Sequence, residues 1–157
     1  MTCVIGLDLA LRTTGYAVVD YDTGGLIDYD LIATHPNGPI EHRLRVIAAR
    51  VAALVKVWQP LDVWKEDPIA HRSGTTTIRL GMVHGAVATI PNLTINGLNP
   101  SAIKRHATGR GNADKKAMIA AARKRWGVTL SADEADAAWV ADLGRQISLN
   151  HFQGDAS

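Results

Sequence analysis

The spacing of hydrophobic residues divides the chain into a strand-rich first part and a largely helical remainder. Nearly continuous or alternating apolar segments between turn residues are typical of strands, whereas apolar residues that recur every three or four positions are typical of helices. The predicted strands are 2–9, 16–20, 26–33, 61–66 and 92–96. The predicted helices are 40–58, 75–90, 100–106, 113–126 and 131–146.

The order of these elements, βββ-α-β-α-β-α-α-α, predicts an α/β fold. The first three strands are joined by short turns and form an antiparallel meander, whereas a strand that follows a helix, such as 61–66, pairs in parallel with the first strand. We therefore expect a central mixed five-stranded sheet flanked by helices. A length of 157 residues suits one domain, predicted at 1–149, followed by a C-terminal tail at 150–157.

The composition is that of a globular chain, with 46% hydrophobic and 20% charged residues. The single cysteine, Cys3, permits no intramolecular disulfide and suits a reducing compartment. The apolar N-terminus lacks a basic lead and is interrupted by Asp8 and Arg12, which is not typical of a signal peptide. No apolar run approaches the length of a membrane span. We expect a soluble, cytoplasmic protein without membrane contact.

Basic residues are concentrated in the segment 99–127. It contains eight Lys or Arg residues and one acid, Asp114, a net charge of +7 that leaves −5 for the remainder, because the whole chain carries +2. This asymmetry favours a polyanion bound on one side of the molecule. On charge alone, a solvated helix surface explains it equally well.

Four acidic residues are predicted to meet at one edge of the sheet. Asp8 lies in the apolar run of the first strand, where an unpaired carboxylate is costly to bury, and Glu66 ends the parallel strand beside it. Asp133 and Asp136 are three apart near the start of the last helix and share one of its faces. Taken singly, Asp133 also suits a helix start and Glu66 a solvated strand end. The predicted topology is what unites the four.

A divalent cation is the usual remedy for clustered carboxylates, and oxygen ligands are those that Mg²⁺ or Mn²⁺ prefers. Two such ions about 3.5–4 Å apart can activate a water and stabilise the leaving oxygen of a phosphodiester. The four acids therefore predict metal-dependent hydrolysis of a phosphodiester bond.

With these residues in place, the chain resembles the RuvC family of Holliday junction resolvases, which have the RNase H-like fold. The resemblance is collinear over about 4–144, and its motifs, each weak alone, are specific in this order. They are IGLDLALRTTGYAVV (5–19), RLRVIAARVAALVKVWQP (43–60), KE (65–66), SAIKRHATGRGNADKKA (101–117) and ADEADAAWVA (132–141).

The resemblance implies a homodimer that cuts two opposed strands of a four-way DNA junction symmetrically, with two Mg²⁺ ions per site for which Mn²⁺ can substitute. The family's catalytic, metal-binding acids correspond to Asp8, Glu66, Asp133 and Asp136. Two lysines important for binding and catalysis correspond to Lys104 and Lys115. The DNA-binding residues that we expect are Ile69, Arg72, Lys104, Arg105, Arg110, Lys115 and Lys116.

The chain also departs from the family pattern. Where the family usually has Asp-Pro-Gly, Asp8 is followed by Leu9-Ala10, which changes the backbone beside the metal site but not the ligand. Ile69 stands near the usual place of an aromatic wedge, and isoleucine can insert between bases but cannot stack on them. These departures suit a phage-encoded member acting in the bacterial host cytoplasm. By architecture, the dimer interface would lie on the helix that carries Gly81 and Gly85.

Three other functions fit parts of the same pattern. A nuclease of this fold that acts on flaps, forks or RNA–DNA hybrids would use the same acids, so only a comparison of substrates separates it. A non-catalytic junction-binding protein would keep the fold without the chemistry. An actin-like ATPase also begins with an acid-bearing strand and a Thr-Gly turn, but that fold usually needs two such domains and a longer chain.

Overall fold

The computed structural model describes residues 1–154, with side chains described through His151. Five strands and five helices occur in that range. The strands are β1 (Cys3–Asp8), β2 (Thr13–Asp20), β3 (Leu26–Ala33), β4 (Asp62–Glu66) and β5 (Ile95–Leu98). The helices are α1 (Ile40–Trp58), α2 (Gly74–Ala88), α3 (Pro100–Thr108), α4 (Lys115–Trp126) and α5 (Ala132–Gly154). The last part of the predicted tail, 155–157, lies outside the described residues.

β1 lies at the centre of a five-stranded sheet with the order β3-β2-β1-β4-β5. β1, β2 and β3 pair antiparallel, whereas β4 pairs in parallel with β1 and β5 pairs in parallel with β4. The turn between β2 and β3 closes on Asp20, whose carboxylate accepts a hydrogen bond from the backbone nitrogen of Thr23 at 2.8 Å. The predicted mixed sheet with flanking helices is confirmed.

Alternate residues of β1 face two different helical layers, as the pleat of a strand requires. Cys3, Ile5 and Leu7 belong to a core shared with α1 and α2. Gly6 lies under α5, which together with α3 and α4 builds a second core around Trp139. The central strand is therefore buried on both faces, which explains its nearly continuous hydrophobicity.

α5 crosses the sheet at very close range. A Cβ atom at Gly6 would collide with the main chain of Ala137 and Ala141, and one at Gly15 would collide with the main-chain oxygen of Asp133. Small residues on the sheet and on the helix permit this approach. The first turns of α5 are thereby held against the ends of β1 and β2.

The position of β5, Ile95–Leu98, differs from the predicted strand at 92–96. Asn92 has a φ of 58°, in the left-handed region, so the chain turns there instead of extending. Pairing with β4 begins at Ile95 and continues to Leu98. The partner strand, and not the local apolar pattern, sets the boundary of this element.

α5 continues to Gly154, whereas the sequence predicted that it ends near 146. Residues 150–154 are therefore helical where a tail was predicted. Ser148 is 5% exposed and donates a hydrogen bond to the Asp62 carboxylate of β4 at 2.6 Å, so the helix keeps a packed face beyond the predicted end. Neither α5 nor any other helix in the described range has an apolar stretch that would cross a bilayer.

Candidate active site

The ends of β1 and β4 bring two acids together. Parallel pairing sets Leu7 opposite Lys65, so the next residues, Asp8 and Glu66, end neighbouring strands at the same edge of the sheet. Both line a cleft of about 610 Å³. Their adjacency follows from topology, because parallel strands that follow one another in a sheet end on the same side.

The first turns of α5 bring two further acids, Asp133 and Asp136, to the same cleft. The helix start is closed by a reciprocal cap: Glu134 Oε2 accepts from the Ser131 nitrogen at 2.7 Å, and Ser131 Oγ accepts from the Glu134 nitrogen at 3.3 Å. Asp133 is therefore not needed as a cap. We call the four acids that line the cleft, Asp8, Glu66, Asp133 and Asp136, the acid cluster.

Burial and mutual repulsion perturb the acid cluster. Burial raises the pKa of Asp8 to about 8, and the charges of Asp136, Glu66 and Asp133 act in the same direction, against that of Lys115. Burial also raises the pKa of Glu66 and the pKa of Asp136 above their usual range. Acids that influence one another this strongly titrate as one unit, and positive charge entering the cleft would relieve their repulsion.

The donor set of the cleft fits a hard metal ion. Asp67 and Asp114 at its rim have protein partners, Lys65 Nζ at 3.1 Å and the Ala117 nitrogen at 2.8 Å, whereas the acid cluster has none among the described residues. Unpartnered, partly buried carboxylate oxygens suit Mg²⁺ or Mn²⁺. Among the described residues, no three Asp, Glu, His or Cys side chains are close enough together to form a complete ion site.

Two lysines complete the polar lining. Lys104 of α3 and Lys115, the first residue of α4, both line the cleft. The helices are joined by a short connection, since Gly109 ends α3 with a φ of 80° and Asp114 caps α4. This connection keeps both lysines on one wall, and the charge of Lys115 lowers the pKa of Asp8.

The other residues predicted to contact DNA lie at or beyond the rim. Ile69 lines the cleft and is 53% exposed. The predicted residues that do not line it, all exposed, are Arg72, Arg105, Arg110 and Lys116. The structure therefore brings together the acid cluster, Lys104, Lys115 and Ile69, and leaves the four arginine and lysine residues outside the cleft.

Comparison with protein families gives a match over most of the chain. The family described as Crossover junction endodeoxyribonuclease RuvC matches residues 4–141. The chain belongs to the RuvC family. The RuvC of Rickettsia conorii is 30% identical over 146 residues, covering 88% of this chain and 93% of its own. The RuvC of Gluconacetobacter diazotrophicus is 31% identical over 148 residues, covering 90% and 88%.

Solved structures share the RuvC fold. T. thermophilus RuvC in complex with Holliday junction substrate superposes with a TM-score of 0.82 and 22% identity, covering 94% of this chain and 98% of that one. The yeast mitochondrial Holliday junction resolvase Ydc2 superposes with a TM-score of 0.65 and 14% identity, covering 98% and 82%. These likenesses establish the fold. Nucleases of the RuvC family depend on metal ions, which agrees with the donor set of the cleft.

The turn after Asp8 departs from the usual RuvC sequence but is closed by a side chain. Thr14, which is fully buried, donates its hydroxyl to the Ala10 oxygen at 2.9 Å and accepts from the Ala10 nitrogen at 3.2 Å. Leu9 is buried in the core shared with α1 and α2. The end of β1 is therefore fixed by the side chain of Thr14, with Leu9 and Ala10 where the resemblance predicts Pro-Gly.

Reasoning from the sequence missed one wall of the cleft. Leu80 and His84 of α2, four apart on one helix face, line it together with His71. Nδ1 of His84 is buried without a partner in the described part of the chain. Burial, with the nearby charge of Lys65, lowers the pKa of His84 to about 4, so this residue is neutral at physiological pH. The spacing of Leu80 and His84 is visible in the sequence, but only the fold shows that it faces the cleft.

Proposed function

We propose that this chain resolves four-way DNA junctions by nicking two opposed strands symmetrically. The observation that carries the proposal is the meeting of the acid cluster with Lys104 and Lys115 in one cleft, in a chain of the RuvC family. Segments far apart in sequence contribute these charges, and packing alone gives no reason for them to converge. Hydrolysis of a phosphodiester bond uses both carboxylates for metal ions and cations for phosphate.

The acid cluster would hold Mg²⁺, two ions per site, and we expect Mn²⁺ to substitute because it also takes oxygen ligands. Such ions lower the pKa of coordinated water and stabilise the oxygens of an in-line displacement. Asp8 would hold the ions together with Glu66 on the neighbouring strand and Asp133 and Asp136 on α5, whose charges all act on it.

Lys104 and Lys115, which line the same cleft as the acids, would bind the scissile phosphate. An ammonium group can orient a phosphate in the ground state and offset the negative charge that develops on its oxygens during cleavage. The charges of both lysines oppose the rise in the pKa of Glu66, which indicates that they lie within electrostatic reach of the acid cluster.

The exposed basic residues outside the cleft, Arg72, Arg105, Arg110 and Lys116, would contact the phosphates of the junction arms. Binding through such contacts releases counterions, so affinity should fall steeply as salt rises. Ile69, half-exposed at the rim, would insert between base pairs near the branch point.

We propose that α2 forms the interface of a homodimer. Ile78 and Met82 are 62% and 43% exposed on this helix, and a Cβ atom at Gly81 or Gly85 would meet nothing within 4 Å. The chain itself therefore leaves this apolar, close-packing face uncovered. A twofold interface there would relate two identical clefts, which is what paired nicks in opposed strands require.

A synthetic immobile four-way junction, offered with and without Mg²⁺, tests the proposal. We expect paired nicks at symmetric positions only when the ion is present, with flaps and RNA–DNA hybrids cut more slowly. A clear preference for the hybrid or the flap would overturn the assignment of substrate. Junction binding without cleavage in Mg²⁺ or Mn²⁺ would instead indicate a non-catalytic binding protein.

Asp8→Asn tests whether the acid cluster performs the chemistry. We expect the cleavage rate to fall by more than the roughly 10- to 100-fold that is typical when an outer partner of a metal ligand is lost, with junction binding retained. Asp22→Asn, at an exposed turn position, is the matched control and should cleave at the parent rate. Cleavage by Asp8→Asn at the rate of the control would refute the role of the cluster.

A further inference from the structure

α5 carries a third aspartate, Asp142, that does not line the cleft. It is 2% exposed. Its Oδ2 lies 2.8 Å from His106 Nε2, and its Oδ1 lies 3.5 Å from Arg125 Nη2 and 3.4 Å from Arg145 Nε. A carboxylate buried this deeply is costly unless its oxygens are paired, and here both are.

The two arginines of this cluster also bind the hairpin between β2 and β3. Arg125 donates to the Gly24 oxygen at 3.4 Å, and Arg145 donates to the Tyr21 oxygen at 3.2 Å. His106 has no such second contact: its hydrogen bond goes to Asp142, and its ring packs edge-on against Trp139, with centroids 5.7 Å apart. His106 therefore links α3 to the buried group formed by Asp142, Arg125 and Arg145.

The rotation of α3 about its axis decides where Lys104 points. This helix has nine residues. Ile103, 1% exposed, and His106 are three apart and share its inner face, whereas Lys104 lies on a different face and lines the cleft beside Ile103. In the part of the chain that the structure describes, His106 to Asp142 is the one polar side-chain contact between α3 and α5. Apolar contacts such as those of Ile103 are less directional than a hydrogen bond, so the hydrogen bond is the contact best suited to fix the rotation.

We propose that His106 and Asp142 are positioning residues that hold the Lys104 ammonium in the cleft by fixing the rotation of α3 on α5. Neither residue is among those that line the cleft. The inference rests on the proposed function for the role of Lys104 in cleavage. The contact between His106 and Asp142 is observed in the structure and does not depend on that role.

A matched pair of substitutions at His106 separates the hydrogen bond from the packing. His106→Gln keeps a nitrogen donor for Asp142, whereas His106→Phe fills the same space against Trp139 without one. We expect His106→Phe to cut a four-way junction about 10- to 100-fold more slowly than the parent, as small misplacements of reacting groups do, and His106→Gln to remain within a few-fold of it. Equal rates for the two variants would overturn the proposal.

A double mutant assigns the loss to Lys104. If His106 acts through the lysine, adding His106→Phe to Lys104→Ala should slow cleavage no further than Lys104→Ala alone. If the two losses multiply, His106 acts by another route and the proposal fails. Ser148→Ala is the control for a general effect of α5, because it breaks a buried hydrogen bond of the same helix to β4 and should leave the rate unchanged.

Hydrogen exchange supplies a measurement that does not depend on cleavage. In His106→Phe, the backbone amides of α3 should exchange faster than in the parent and in His106→Gln, while those of α4 and β1 stay protected. Unchanged exchange in α3 would show that the hydrogen bond does not anchor this helix, and would refute the inference. A parent that cuts no junction would instead refute the proposed function and leave the exchange result standing.

Discussion

At the scale of single residues, Asp8 at the end of β1 and Asp142 on α5 have opposite electrostatic surroundings. Burial raises the pKa of Asp8 to about 8, and three neighbouring carboxylates add to the rise. Burial also favours the neutral form of Asp142, but the hydrogen bond from His106 and the charges of Arg125 and Arg145 outweigh it and hold its pKa below the usual range. The charge of Asp142 is already balanced by the chain, whereas positive charge entering the cleft would favour the ionised form of Asp8.

The Asp142 carboxylate should stabilise the fold at neutral pH and lose this effect in acid. Because its folded-state pKa lies below the unfolded value of about 4, its contribution is present above that value and is lost as pH falls through the folded-state pKa. Asp142→Asn should lower the free energy of unfolding by about 3 kcal/mol near neutral pH, since it leaves two arginines facing a neutral group. Urea unfolding measured at neutral and at acid pH tests this prediction.

The change of this deficit with pH shows whether Asp142 is ionised in the folded protein. The deficit of Asp142→Asn relative to the parent should shrink below about pH 4. Asp22→Asn, at an exposed position, should show no deficit at either pH. A deficit that stays constant down to the lowest pH at which the chain folds would contradict an ionised Asp142.

The sequence reveals Asp8 but not Asp142, although both interrupt apolar runs. Asp8 ends a strand that is apolar at nearly every position, so any role for it had to involve unusual chemistry or a cation. Asp142 lies in a segment with helical spacing, and a charged residue on a helix normally faces water. Its partners His106 and Arg125 come from other helices, and helical spacing carries no information about them.

At the scale of elements, α5 both covers the sheet and carries half of the acid cluster. The same approach that buries Gly6 and Gly15 holds Asp133 at the end of β1. Stability and the geometry of the cleft therefore depend on one contact.

Gly6→Ala should reduce both the stability of the fold and the activity of the cleft. The added Cβ would collide with the backbone of α5, which cannot give way as the end of a flexible side chain can. We expect a loss of about 1–3 kcal/mol of unfolding free energy, the usual cost of overpacking a core, and slower junction cleavage by the molecules that remain folded. Urea unfolding and single-turnover cleavage would measure the two effects.

Gly74→Ala is the matched control, because a Cβ atom at this position, the first residue of α2, meets nothing within 4 Å. In a helix, this change usually stabilises by up to about 1 kcal/mol, since alanine loses less backbone entropy than glycine. A Gly6→Ala variant as stable as Gly74→Ala would show that the sheet and α5 are not packed as closely as described.

Element types and order follow from the sequence more reliably than element ends. The meander and the helices are predicted because hydrophobic period and turn residues are local properties. The start of β5 is not predicted from the sequence, because pairing with β4 fixes it at Ile95. The end of α5 is not predicted either, because the contact between Ser148 and Asp62 joins residues that are 86 positions apart.

At the scale of the whole molecule, the cleft and the proposed dimer interface are neighbouring surfaces. The cleft opens at the edge where β1 and β4 end, and the exposed apolar residues of α2 lie on a helix that also lines it through His84. A partner that covers α2 would therefore sit next to the cleft.

Ile78→Glu should weaken the proposed dimer. A charge at the centre of an apolar twofold interface would face its own copy, which adds repulsion to the cost of desolvation. We expect sedimentation to show a shift toward the monomer, and paired nicks to become single, uncoupled ones. The free energy of unfolding of the monomer should change little, because Ile78 is 62% exposed.

Val57→Glu on α1 is the control, since Val57 is 74% exposed and lies on another helix. It should leave both the association and the pairing of nicks unchanged. If Val57→Glu, and not Ile78→Glu, produced monomers, the interface would have to be moved to the α1 side of the molecule.

The placement of Asp133 and Asp136 on the last helix also bears on synthesis at the ribosome. Asp8 and Glu66 emerge early, and the sheet that holds them can begin to assemble before α5 has been translated. Two of the four carboxylates are then still missing, and the sheet surface around Gly6 is uncovered. Any cutting activity would thus begin only once the final helix has docked, so an unfinished chain released prematurely could not nick DNA in the cell.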